Sequence, residues 1–270
     1  MSVTSQRLDT ALARRGLARS RAAAAELIKG GLVAVDGRTV VKPAFAVAET
    51  QRIEVAGADH YVSRGAHKLI AALDAFEIPV SGREVLDIGA STGGFTQVLL
   101  ERGATRVIAL DVGHGQLVPE LRNDRRVVVV EGFNARELSA DSLAAASGID
   151  KSPSLVVGDL SFISLRYLFG PLADTVGRSA EIVLLIKPQF EVGKTGVREG
   201  IVRDAGLRVD AVQNVLWSAW DAGFGVRGLI ASPIAGTHGN REFLVHLTAE
   251  GGSNPTEWMQ RAARLAGDGE

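Results

Sequence analysis

From residue 84 to 248 short apolar runs alternate with longer stretches of helical periodicity. Runs at 84–89, 106–111, 126–131, 154–160, 181–187, 225–231 and 241–248 are rich in Val, Ile and Leu with little polar alternation. That is the pattern of strands covered on both faces. Stretches 95–102, 135–146, 165–176 and 205–222 space their apolar side chains as helices do, and 67–76 does so ahead of the first strand. Such alternation predicts an α/β fold, a doubly wound, mainly parallel Rossmann-like sheet with helices on both faces. No helical stretch separates the last two runs, so those strands are expected to pair antiparallel. Residues 251–270 are polar with only a weak helical pattern and read as a tail.

The first 60 residues follow a different rhythm. Leu8 and Leu12, then Ala23 and Leu27, recur at i, i+4, predicting helices over 9–15 and 20–29. Gly16 stops the first, Ser20 caps the second, and Gly30-Gly31 ends it. Asp36-Gly37 between 32–35 and 39–41 predicts a hairpin. The organisation expected is a small α+β domain over 1–60, a linker at about 57–63, a larger α/β domain over 64–250, and the tail.

Composition narrows the chemistry. The 270 residues contain no cysteine, which excludes disulfides, thiolate-held metals and a thiol nucleophile. No apolar run approaches the ~18 residues of a membrane helix. The charged N-terminus lacks a signal peptide's apolar stretch, so a cytoplasmic protein without a membrane partner is expected. The five histidines show no metal-ligand spacing, and no metal is expected. No obligate protein partner is evident.

A net charge of −1 argues, taken whole, against a polyanionic partner. Its distribution argues otherwise. Residues 1–45 carry eight basic side chains (Arg7, Arg14, Arg15, Arg19, Arg21, Lys29, Arg38 and Lys42) against three acidic ones, a net +5. The remainder carries 22 against 28, a net −6. A basic end on an acidic body suggests a nucleic-acid contact module, with a solvated basic helix as the plain alternative. The order of Arg7-Leu8-Asp9, Arg15-Gly16-Leu17, Ser20-Arg21, Leu27-Ile28, Gly31 and Val35-Asp36-Gly37 resembles the S4 RNA-binding domain. The resemblance implies binding of structured RNA by shape and backbone. Candidate contacts are Arg7, Arg14, Arg15, Arg19, Ser20, Arg21, Lys29 and Lys42, with Arg64 beyond the linker.

The first strand of the larger domain ends in Asp87-Ile88-Gly89-Ala90-Ser91-Thr92-Gly93-Gly94-Phe95, a glycine turn through which backbone can approach a ligand. The second ends in Asp111, 22 residues beyond Gly89, where a carboxylate can take both hydroxyls of a ribose. Three readings compete. A dinucleotide fingerprint needs a second glycine that is absent here. Gly89-Ala-Ser-Thr-Gly93 also fits a nucleophile elbow, which belongs deeper in a sheet. Asp-x-Gly-x-x-x-Gly-Gly resembles the S-adenosylmethionine site of class I methyltransferases. That resemblance implies S-adenosylmethionine as cofactor, held by 87, 89–95, Asp111, Val112, Phe133, Asn134 and Asp159. A further stretch, Gly193-Lys194-Thr195, suggests a phosphate loop, but Pro188 stands where its first glycine belongs.

Ionisable residues recur where the sheet presents its site: Lys68 before the first strand, Asp159 ending the fourth, Lys187 ending the fifth, Glu242 opening the last. Singly each reads as a surface charge or a cap. Together, in this order, they resemble the Lys-Asp-Lys-Glu tetrad of FtsJ-type ribose 2′-O-methyltransferases. A ribose hydroxyl must lose its proton as it attacks, which a positioned lysine can assist. With Val62–Leu69, Asp159-Leu-Ser-Phe-Ile163 and Lys187-Pro-Gln-Phe-Glu-Val-Gly193, the chain resembles the TlyA family. That implies methylation of cytidine ribose in ribosomal RNA of assembled subunits. It implies Lys187 as base or oxyanion stabiliser, Lys68 and Glu242 placing the hydroxyl, and Asp159 orienting the lysine. Departures are Asp59-His60-Tyr61 where the family often has Arg and Trp, and His114 where Tyr is frequent. Two other readings stand beside this one, a non-catalytic RNA-binding assembly factor and a membrane-active hemolysin.

Overall fold

The computed structural model describes residues 5–18, 20–55, 60–177, 179–193, 196–236 and 239–267. It divides into two compact units, Met1–His60 and Tyr61–Glu270. Arg19, Lys194, Thr195 and residues 57–59 of the linker expected at 57–63 lie outside the described residues.

The N-terminal unit runs β1 (Ser5–Arg7), α1 (Leu8–Arg14), α2 (Arg21–Lys29), β2 (Val33–Val35), β3 (Arg38–Thr39), β4 (Ala46–Ala48) and β5 (Ile53–Val55). Both helices form close to the positions their i, i+4 pairs predict. Ser20 caps α2 by accepting the Ala23 N–H at 3.1 Å. Asp36 and Gly37 both take positive φ, 48° and 79°, as a two-residue turn between right-twisted strands requires. Leu8, Leu12, Ala24, Ile28, Val33, Val47 and Ile53 form the core. Strands β1, β4 and β5 are not predicted from sequence, because three residues are too few to show a period. β1 pairs with β4, and β2 lies between β3 and β5, all antiparallel.

The larger unit contains α3 (Ala66–Ala75), β6 (Glu84–Ile88), α4 (Gly94–Glu101), β7 (Arg106–Asp111), α5 (Pro119–Arg122), β8 (Val127–Glu131), α6 (Ala140–Ser147), β9 (Leu155–Gly158), α7 (Phe169–Thr175), β10 (Glu181–Ile186), α8 (Pro188–Glu191), α9 (Ala205–Asp221), β11 (Gly225–Ala231), β12 (Phe243–Thr248) and α10 (Met259–Ala266). Its seven strands lie in the order β11-β12-β10-β9-β6-β7-β8. β6 to β10 are parallel, and β12 runs antiparallel to both β10 and β11. Successive strand residues supply opposite faces: Leu86 and Ile88 join one apolar layer with Phe169, Val212 and Phe243, while Val85 joins the other with Leu69, Leu99 and Leu244. Strand order reverses between β6 and β9, and the carboxyl ends flanking such a switch form a crevice.

Two expectations are revised. The stretches 135–146 and 165–176 are each broken into a 3-10 turn and a helix, Ala135–Glu137 before α6 and Leu165–Tyr167 before α7. In the first, Ser139 forms a capping box with Ser142 and restarts the chain. The polar tail is the larger revision. Residues 255–258 form a 3-10 turn, α10 follows, and Ala262 and Ala266 are fully buried. Its exposed face is what reads as polar. Two distant arginines dock it, Arg208 Nε donating to the Ala266 carbonyl at 2.9 Å and Arg241 to those of Leu265 and Gly267, while α10's own Arg261 Nε donates to the Leu229 carbonyl at 2.6 Å.

Candidate functional site

Each member of the charged set stands where a strand or helix ends. Asp159 follows β9 and Lys187 follows β10, both at carboxyl ends. Glu242 precedes antiparallel β12, so the reversal brings it to the same edge. Lys68 lies in the first turn of α3. They form one chain of contacts. Lys68 Nζ is 2.6 Å from Glu242 Oε2 and 3.6 Å from Asp159 Oδ2. Lys187 Nζ is 2.6 Å from Asp159 Oδ1 and donates to Ser161 Oγ at 2.9 Å. Lys68, Lys187 and Glu242 are buried, and Asp159 is the member with most access to solvent. Two cations against two anions leave the cluster neutral, the condition under which charges tolerate burial.

The glycine turn adjoins this chain. Gly89 (φ +82°) has its backbone so close to β9 that a Cβ there would lie 3.2 Å from the Asp159 carbonyl. Gly93 (φ +104°) opens α4, and a Cβ there would overlap Leu121. Asp111 ties the turn to the next loop, accepting Ser91 N–H at 2.8 Å and Gly113 N–H at 2.7 Å. A cavity of about 540 Å³ lies between them, lined by Gly89, Asp111, Val112, Phe133, Asn134 and Asp159 among others. Val112 stands 70% exposed at this cavity, an apolar side chain without apolar cover. A second, smaller cavity of about 120 Å³ shares Gly89, Ser91, Asp159 and Ser161 with the first and reaches Lys187. The pair therefore form a wide pocket leading to a polar throat at the charged cluster.

Asp87 lies beneath the turn, wholly buried. Thr96 Oγ1 donates to its Oδ2 at 2.6 Å, while Oδ1 has no hydrogen-bond partner. Burial pushes this carboxyl up to about 7; the Thr96 bond opposes the shift, and the negative charge of Asp159 adds to it. The Asp159 carboxylate where the two cavities meet, the Asp111 carboxylate at the ribose position and an apolar cavity suit a ligand that is cationic at one end and a nucleoside at the other.

Of the residues expected to hold the cofactor, Gly89, Ala90, Ser91, Thr92, Gly94, Phe95, Asp111, Val112, Phe133, Asn134 and Asp159 line one or both of these cavities, whereas Asp87 and Gly93 line neither. The basic candidates fare unequally. Arg15 spends its guanidinium on the carbonyls of Ala48, Glu49 and Gln51, so it cross-links the small domain. Arg14 pairs with exposed Glu49, and Lys29 with exposed Glu26. Arg7 and Arg21 share Asp9. Lys42 and Arg64 are exposed.

Three positions at the site escape sequence reasoning. Ser161 is the hydroxyl that receives Lys187. Glu191, its side chain buried, accepts from Ser164 Oγ at 2.6 Å and Leu165 N at 2.8 Å. It thereby fastens the loop after β10 to the loop after β9, the two that carry Lys187 and Asp159; burial raises its carboxyl above the ordinary range. Gly236 lies against Glu242, where a Cβ would overlap Oε1. The signal for Glu191 was its place four residues after Lys187; nothing in the sequence marks Gly236 beyond its being glycine. Between the fastened loops Phe162 takes φ +65° and is 91% exposed, its ring centroid 5.3 Å from that of Phe190.

Comparison with known proteins shows the family. Residues 61–249 match the FtsJ-like methyltransferase family, and residues 6–53 match the S4 domain. A relative from Mycobacterium tuberculosis, named 16S/23S rRNA (cytidine-2′-O)-methyltransferase TlyA, is 51% identical over 90% of each chain. The chain belongs to the TlyA family of FtsJ-like methyltransferases. Another member, Hemolysin A of Brachyspira hyodysenteriae, is 42% identical over 89% of this chain and 98% of its own. A solved structure described as a candidate hemolysin from Streptococcus thermophilus superimposes with a TM-score of 0.76 at 37% identity, covering 98% of this chain and 96% of that one. Both names carry the hemolysin label; among the described residues no helix is long and apolar enough to cross a membrane.

Proposed function

We propose that this TlyA-family methyltransferase methylates the 2′-hydroxyl of cytidine in ribosomal RNA, within assembled subunits that it reaches through its basic S4 unit. The observation that carries this reading is the continuous contact from Glu242 through Lys68 and Asp159 to Lys187, at the throat of the larger cavity. S-adenosylmethionine supplies an electrophilic methyl group when bound, and residues 87–95, Asp111, Val112, Phe133 and Asn134 would hold it.

The chain's own groups supply the rest. A ribose hydroxyl is a weak nucleophile that sheds its proton as it is methylated. Lys187, held by Asp159 and Ser161, keeps a third N–H direction for that oxygen. As an ammonium it holds the developing oxyanion through that N–H; only as the neutral amine, with a lone pair in that direction, does it take the proton. Lys68, fixed by Glu242, places the same hydroxyl, and most of the rate comes from this alignment. Phe162 and Phe190 offer aromatic faces at the rim for an unstacked base. A basic S4 unit fits a folded substrate recognised by shape and backbone.

Labelled methyl transfer to isolated small and large ribosomal subunits, followed by nucleoside mass spectrometry, tests the reading. The expected product is 2′-O-methylcytidine. A base-methylated product, or none from either subunit, overturns it.

A further inference from the structure

Within the small domain one acidic residue differs from the rest. Glu26 and Glu49 pair with basic side chains in open solvent, where an ion pair contributes little. Asp9, in the first turn of α1, has only 5% of its side chain exposed, beneath two arginines exposed by 48% and 60%. Its Oδ1 and Oδ2 accept Arg7 Nε at 3.1 Å and Arg7 Nη2 at 2.8 Å in a two-pronged pair. Oδ2 also accepts Arg21 Nε at 3.2 Å, and Oδ1 accepts the Thr10 hydroxyl at 3.1 Å. Arg7 precedes α1 and Arg21 opens α2, so one carboxylate gathers side chains from two helix starts.

We propose that Asp9 is a positioning residue for RNA, holding the Arg7 and Arg21 guanidiniums side by side as a single site for backbone phosphate. The inference rests on the proposed role of the S4 unit as the RNA-binding part. By charge alone Asp9 is a handicap: it cuts two positive charges to a net +1 at a surface meant for a polyanion. Geometry is what it gives in return. A guanidinium carries five N–H donors in a rigid fork. Arg7 gives two of these to Asp9 and Arg21 one, which leaves three and four for a ligand. Their stems are already ordered, so less freedom is lost when phosphate binds. The arginines in turn hold the Asp9 carboxyl well below the usual carboxylate range, keeping it ionised. Arg15 gives three donors to backbone carbonyls and keeps two.

The two accounts of Asp9 predict opposite signs. If it were only a counter-charge, Asp9→Asn would tighten binding to purified ribosomal subunits and steepen the salt dependence. Positioning predicts about 5- to 30-fold weaker binding at fixed salt, the loss of pre-organisation at two side chains. It also predicts that Arg7→Lys and Arg21→Lys, which keep the charge but lose the fork, weaken binding. Adding Asp9→Asn to the double Lys variant should then cost little more. Circular dichroism and a thermal melt check that Asp9→Asn folds; if it does not, the exposed Lys variants decide. Unchanged or tighter binding in folded Asp9→Asn, or unchanged binding in the Lys variants, overturns the proposal. Arg7→Glu with Arg21→Glu separates the layers: no loss of binding there overturns the S4 role itself and the inference with it.

Discussion

Lys68 Nζ and Glu242 Oε2 lie 2.6 Å apart although 174 positions separate them in the chain. Both side chains are buried, so each is the other's compensation. Lys68→Ala leaves an unpaired carboxylate inside the protein and is expected to cost about 3–5 kcal/mol of stability. Lys68→Met combined with Glu242→Gln should restore most of that loss in urea unfolding, yet leave methyl transfer abolished. Restored transfer in the double variant would show that the pair serves folding alone.

Lys187→Ala should lower transfer by roughly 10²- to 10⁴-fold, the usual range for a lost general acid or base. Cofactor affinity measured by calorimetry should change little, because Lys187 borders only the smaller cavity. A parallel fall in both would move Lys187 from the reaction into cofactor binding.

Asp87 makes stability depend on pH. Its folded-state value of about 7 lies above the unfolded 3.8, so the folded chain holds the proton more tightly. That contribution is complete below about pH 4 and is lost as pH rises through 7. A shift of this size corresponds to something on the order of 4 kcal/mol. Without cofactor, Asp87→Asn should therefore melt higher than the parent at pH 8, with the gap closing towards pH 4. A gap independent of pH would contradict the assignment.

Gly236→Ala would drive a methyl group into Glu242 Oε1 and push the carboxylate off Lys68. The expected result is a fall in kcat of about tenfold or more with cofactor affinity retained, since misplacement by an ångström is costly in a positioned reaction. Wild-type kcat would mean that the loop yields instead.

What the sequence reveals, and what it hides, has a physical pattern. The seven strands of the larger unit are legible because burial on both faces leaves unbroken apolar runs. The Asp36-Gly37 turn is legible because few residues tolerate two successive positive φ values. Lys68, Asp159, Lys187 and Glu242 are visible as charges at element ends, and the parallel order of β9 and β10 explains why the ends coincide. Glu191 is hidden because its function is a contact between two loops 26 residues apart. α10 is hidden because its partners, Arg208 and Arg241, are remote in sequence and its buried face consists of small alanines.

β12 is synthesised after every other strand of its sheet yet sits between β10 and β11. Until it arrives, β10 has an unfilled edge and β11 has no strand to pair with. A growing chain that stops at residue 240 already holds Lys68, Asp159 and Lys187, but not the group that pairs with Lys68. The strand that seals the sheet and the carboxylate that completes the cluster come off the ribosome together. Only the 3-10 turn at 255–258 and α10, docked through Arg208 and Arg241, remain to be added after that strand.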